Sequence, residues 1–142
     1  MPEPLLTYRG TVYPWHCDHV GHMNVMWYVG KFDEATWNLF SALGLSAAFL
    51  RDNNRGMAAV EQAIAYKKEL MAGDVVTIYS DILDIRDRVI RFAHEMRKTD
   101  SGETAATTIL TAVHLDTKSR RACPFPAAVK DKARAILASV NG

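Results

Sequence analysis

Residues 25–44 read VMWYVGKFDEATWNLFSALG. Val25, Tyr28, Val29, Phe32, Ala35, Thr36, Leu39, Phe40 and Leu43 recur at helical spacing. Lys31, Asp33, Glu34, Asn38 and Ser41 take the other side. The pattern predicts one long amphipathic helix over about Val25–Leu43, stopped by Gly44 in the usual C-terminal position. Upstream, Tyr8–His16 carries β-formers (Tyr8, Thr11, Val12, Tyr13, Trp15), with Pro14 near its end. Residues 17–24 between them are irregular, with Gly21 and Asn24 as turn formers.

Downstream the chain reads mainly as sheet. After a short helix capped by Ser46 and ending near Asn53-Asn54, strands are expected over Met57–Lys68 and Val75–Ile85. The next strand alternates: Ile90, Phe92, His94 and Met96 face one way, Arg91, Glu95 and Arg97 the other. Asp100-Ser101-Gly102 makes a hairpin turn, Thr104–Leu115 a further strand, and Asp116–Pro126 a basic, proline-punctuated connection. Ala127–Val140 carries good helix formers. Consecutive strands joined by short turns are antiparallel. The expected architecture is α+β, an antiparallel sheet curled around one long helix. Such a sheet leaves one face and its edges uncovered, which favours self-association.

The chain has 142 residues, room for a single domain spanning 1–142. Seventeen Lys+Arg against 16 Asp+Glu give a net charge of +1, so no bulk charge draws it to nucleic acid or anionic lipid. Cys17 and Cys123 are too few for a disulfide scaffold. No apolar run suffices for a membrane span. Met1-Pro2-Glu3-Pro4 lacks the pattern of a signal peptide, so a cytoplasmic location is expected. There is no nucleophile elbow, phosphate loop or dinucleotide fingerprint. Of five Phe, three Trp and five Tyr, eight lie in the first 40 residues, and three of five histidines (His16, His19, His22) fall within seven positions. The chemistry is expected there.

His16, His19, His22 and Asp18 are competent metal ligands, but their spacing converges only in a helix, and Pro14 and Gly21 oppose one. No metal site is expected, and His19 reads as a solvated loop residue. Cys17 reads as an inert, buried small residue, because its extended-chain neighbours point away from it. Asp18 reads equally as a turn cap or as a carboxylate beside a helix N-terminus, whose unpaired N–H groups can hold an oxyanion.

The run Asp18-x-x-Gly21-His22-Met23-Asn24, then Tyr28 and Phe32-Asp33-Glu34-Ala35-x-Trp37, resembles the 4-hydroxybenzoyl-CoA thioesterase branch of the hotdog-fold acyl-CoA thioesterases. Tyr66-Lys67-Lys68-Glu69-Leu70 before Gly73-Asp74 is similar to that family, as is His114-Leu115-Asp116-Thr117 followed by Lys118, Arg120, Arg121 and Pro124-x-Pro126. The resemblance covers about residues 8–130. It implies a five-stranded antiparallel sheet wrapped around the helix, protomers paired into dimers or tetramers, and an active site at their interface. It assigns Asp18 as nucleophile or general base toward the thioester carbonyl of an acyl-CoA and the Val25 N–H as oxyanion donor. His22 and Asn24 take supporting roles, and no cofactor is needed. Val25 stands where many relatives carry a second Asn.

CoA bears phosphates, so a basic rim is expected, with Arg86, Arg88, Lys118, Arg120 and Arg121 as candidates. Trp15, Trp27 and Trp37 read as core or interface before acyl-pocket walls. The competing readings are a non-catalytic acyl-CoA binder and a hydratase or dehydratase on the same fold.

Overall fold

The computed structural model describes residues 4–141. Its elements are β1 (Leu5–Thr11), α1 (Val25–Ala42), α2 (Ala47–Asp52), β2 (Arg55–Tyr66), β3 (Val75–Ile85), β4 (Val89–Lys98), β5 (Thr104–Asp116), β6 (Arg121–Ala122) and α3 (Ala127–Asn141). The sheet is antiparallel throughout, in the order β1-β3-β4-β5-β2, with β6 added to the end of β5. This is the expected α+β architecture, with the two-residue β6 inside the stretch read as a plain connection.

Two further expectations are corrected. The first strand runs over Leu5–Thr11, not Tyr8–His16. Its partner β3 begins at Val75, opposite Thr11, so the ladder ends there. Val12 then exchanges backbone hydrogen bonds with the turn at Gly73 and Asp74, and Pro14 starts a short 3-10 turn through His16, a position where its missing donor costs nothing. The second correction concerns Lys31, which the helical period puts with Asp33 and Glu34 on the side away from the apolar residues. It is buried, 3% exposed.

The concave face of the sheet holds the core. Phe32, Ala35 and Tyr28 of α1 pack with Ile78, Met96 and Leu70 at one end. Leu39, Phe40 and Leu43 pack with Ile82, Ile90 and Phe92 at the other, where α3 adds Val129 and Ala133. Two helices thus cover this face where one was expected. His94 lies in the middle, fully enclosed. Its Nε2 meets Thr36 Oγ1 at 2.8 Å and its Nδ1 meets Ser80 Oγ at 2.6 Å. That network ties α1 to β3 and β4, and burial lowers the imidazole pKa to about 4, so the ring is neutral.

Strand β2 lies at the sheet edge. It is exposed along most of its length, and a register shift falls between Ala59 and Glu61, at Val60. Chain direction fixes the two ends of the molecule. The N-terminus of α1 sits beside the end of β2, through Tyr28 Oη donating to Lys68 O at 3.0 Å and Met23 N–H to Leu70 O at 2.7 Å. The β3–β4 and β5–β6 turns lie at the opposite end.

Candidate functional site

The loop between the 3-10 turn and α1 folds back on itself. Cys17 and Met23 form an antiparallel bridge; Asp18 N–H donates to His22 O at 3.2 Å and Asn24 N–H to His16 O at 2.9 Å. Gly21 turns the loop at φ +101°, a conformation open to glycine at little cost. Asp18 closes the turn with its side chain, Oδ1 accepting Val20 N–H at 2.9 Å, while Gly21 N–H donates to Asp18 O at 3.0 Å.

Asn24 is the N-cap of α1 and the second anchor of Asp18. Its Nδ2 donates to Asp18 Oδ2 at 2.8 Å, and its Oδ1 accepts Met26 N–H at 2.9 Å. Its carbonyl accepts Trp27 N–H at 3.0 Å. The Val25 N–H, at the first helical position, has no intrahelical acceptor by geometry. The Asn24 hydrogen bond, followed by that of Val20 and the charges of His19 and His22, lowers the Asp18 pKa below the usual carboxylate range. Asp18 is ionised at neutral pH.

Beside Val25 a cavity of about 230 Å³ opens between α1 and the end of β2. His22, Tyr28, Tyr66, Lys67 and Lys68 line it with Val25. Tyr28 and Tyr66 meet edge to face, centroids 5.1 Å apart. His22 does not bond the Asp18 carboxylate; its Nε2 faces Glu69 Oε1 at 3.5 Å. The sequence singled out the Tyr66–Leu70 run for its resemblance but not as a cavity wall. The signal available was its two lysines next to a tyrosine.

The five basic candidates lie elsewhere in the chain. Arg86 pairs with Asp84 at 3.0 Å and Arg88 with Asp87 at 3.9 Å on the β3–β4 turn. Lys118, Arg120 and Arg121 lie on the β5–β6 turn, which Asp116 builds. Its Oδ1 accepts Lys118 N–H at 2.8 Å and Ser119 N–H at 3.1 Å, and Arg120 stands at φ +63°. Arg88 O accepts His114 N–H at 2.9 Å, so the two turns are neighbours. Both are at the end of the sheet opposite Asp18, and the fold of the chain does not bring them to it.

Among the described residues, no cluster of three or more His, Cys, Asp or Glu could hold a metal ion. His19 is exposed, and Cys17 is half-buried rather than enclosed. Among the described residues, no helix is long and apolar enough to cross a membrane.

Residues 12–133 match the family model described as the Thioesterase-like superfamily. The chain is 31% identical over 126 residues to an Agrobacterium fabrum protein named L-carnitine dehydrogenase/betainyl-CoA thioesterase, covering 89% of this chain and 26% of that one. The chain thus spans about a quarter of that relative's length. A Staphylococcus aureus protein solved in complex with CoA superposes with a TM-score of 0.90 at 22% identity, covering 96% of this chain and 87% of that one. A Thermus thermophilus thioesterase complexed with coenzyme A and Zn superposes with a TM-score of 0.81 at 21% identity, covering 97% and 98%. The curled sheet around α1 is the hotdog fold, and the chain belongs to the Thioesterase-like superfamily.

Proposed function

We propose that the protein hydrolyses a small acyl-CoA, with Asp18 as the catalytic carboxylate. The observation that carries this reading is the Asp18–Asn24 pair: an ionised carboxylate fastened to the N-cap of α1, next to the free end of that helix. Asp18 takes a proton from water, and the hydroxide attacks the thioester carbonyl carbon. The oxyanion that forms is held by the Val25 N–H and the positive end of the α1 dipole. It collapses with cleavage of the C–S bond, releasing the acid and the CoA thiolate, which takes up the proton. Both Asp18 oxygens already accept a hydrogen bond, which favours a base over a nucleophile. His22 and Asn24 position the loop. No cofactor enters these steps.

The acyl group is the finer part of the proposal. The family match supports thioester hydrolysis, and the likeness to a protein named as a betainyl-CoA thioesterase supports a small acyl group bearing a trimethylammonium. CoA is held across a dimer. Antiparallel pairing of the exposed β2 edges would set one protomer's Asp18 end beside its partner's opposite end, carrying Arg86, Arg88, Lys118, Arg120 and Arg121 to the CoA phosphates.

The test is a panel of CoA thioesters (acetyl, betainyl, 4-hydroxybenzoyl) assayed by thiol release with native protein and Asp18→Asn. Turnover of at least one thioester is expected, falling by roughly 10²–10⁴ in the variant. Undiminished turnover would remove Asp18 from the mechanism; binding without turnover across the panel would make the protein an acyl-CoA binder. Single-turnover hydrolysis in H₂¹⁸O separates the two carboxylate roles, since label entering Asp18 would show a nucleophile.

A further inference from the structure

A second, larger cleft of about 630 Å³ lies on the other flank of α1, against β1 and the 3-10 turn. It shares no lining residue with the cavity beside Val25. Its floor carries Lys31, whose Nζ donates to Tyr8 Oη at 2.8 Å and reaches Thr11 O at 3.4 Å. Gly10 makes this possible, since a Cβ there would fall 2.2 Å from Tyr8 Oη. Among the described residues Lys31 forms no ion pair. The opposite charge acting on it is that of Glu34, exposed and not in direct contact, so an anionic oxygen within the cleft would further stabilise the buried ammonium.

The walls favour a different group. Trp15 is 68% exposed and stacks on Tyr13 at 4.6 Å. His16 joins that pair to Trp27, with centroids 4.3 Å apart. His16 Nδ1 accepts Tyr13 N–H at 3.0 Å, and burial with the Lys31 charge lowers its pKa, so the ring stays neutral. Glu34, exposed and three residues from Lys31 on the same helix face, adds a carboxylate to this aromatic rim. Aromatic rings with a carboxylate are the usual receptor for a quaternary ammonium. Gly30 also lines the cleft. It sits mid-helix, where glycine is disfavoured, yet a Cβ there would meet nothing nearer than Trp27 Cε3 at 3.8 Å. Packing does not require this glycine, and its effect is to leave the cleft open.

We propose that this cleft binds a small zwitterion bearing a carboxylate and a trimethylammonium group. The carboxylate meets Lys31, and the cation lies among Trp15, Tyr13, Trp27 and Glu34. The ligand class matches the acid released in the proposed reaction, so the choice of probe rests on that reading. The cleft would then be a second site for the product, separate from the hydrolytic one.

The test is titration of the full chain with glycine betaine, followed by tryptophan fluorescence and calorimetry. The comparators are 3,3-dimethylbutyrate, which keeps the shape and carboxylate without the cation, and choline, which lacks the carboxylate. Saturable betaine binding at least tenfold tighter than either is expected. Gly30→Leu, whose Cβ meets no close contact, and Trp15→Ala should each weaken it tenfold or more without lowering the melting temperature. Asp18→Asn should leave it within twofold, whether or not any CoA thioester is hydrolysed, so failure of the proposed function is read separately. No saturable binding, equal binding of all three probes, or binding lost in Asp18→Asn and kept in Gly30→Leu would overturn the proposal.

Discussion

Asn24 joins Asp18 to the helix that follows it: one end of its amide donates to Asp18 Oδ2 at 2.8 Å while the other accepts Met26 N–H at 2.9 Å. The N-cap and the carboxylate anchor are the same side chain, so stability and reactivity are coupled at this position.

Changing Asn24 therefore has two separable consequences. Asn24→Ala should cost about 1 kcal/mol through the lost cap and lower kcat as well. Asn24→Asp keeps a capping oxygen but removes the strongest cause of the lowered Asp18 pKa and adds a like charge. Because the reaction needs Asp18 ionised, the acid limb of the kcat/KM profile should move to higher pH. An unmoved limb would show that Asp18 ionisation does not set it.

Stability should fall in mild acid. The folded-state pKa of His94 is lowered to about 4, against about 6.5 for an unfolded histidine. Between these values the unfolded chain binds a proton that the native state refuses. The contribution is fully present above pH 6.5 and is lost as pH falls toward 4, up to about 3 kcal/mol. Urea unfolding at pH 7 and pH 4.5 measures it. His114, also lowered by burial, acts in the same sense. His94→Leu should accordingly reduce the slope without abolishing it; Thr36 Oγ1 keeps its bond to Phe32 O and Ser80 Oγ its bond to Thr7 Oγ1, so the two lost hydrogen bonds should cost about 1 kcal/mol each.

The β2 edge should pair in solution. Val60 is 61% exposed there and interrupts the ladder with β5. Light scattering is expected to give at least twice the 15.8 kDa chain mass, and Val60→Asp should shift the protein toward monomer by placing a charge in the interface. A native monomer would separate the basic turns from Asp18.

The basic turn should act on CoA affinity. Lys118→Glu with Arg121→Glu is expected to raise KM several-fold with little change in kcat, and the difference should shrink as salt rises. Equal loss of kcat and kcat/KM would place these residues in the transition state instead.

The long helix, the alternating strand through Ile90, Phe92, His94 and Met96, and the turn at Asp100–Gly102 were legible because each depends on a local period or local turn chemistry. The turn at Asp18 was within reach of the sequence too, since the side-chain bonds of Asp18 join it to Val20 and Asn24, at most six positions away. The limits of β1 were not, because they are set by where β3 begins, sixty and more residues away. Lys31 was misread for the same kind of reason: its helical phase puts it on the side away from the apolar residues, but Tyr8, admitted by Gly10, covers it. A sequence period reports which side of an element a residue occupies. Which strand crosses that side, and so whether a charge faces water, a ligand or a tyrosine, was decided only when the register of β1 on β3 closed the fold over α1.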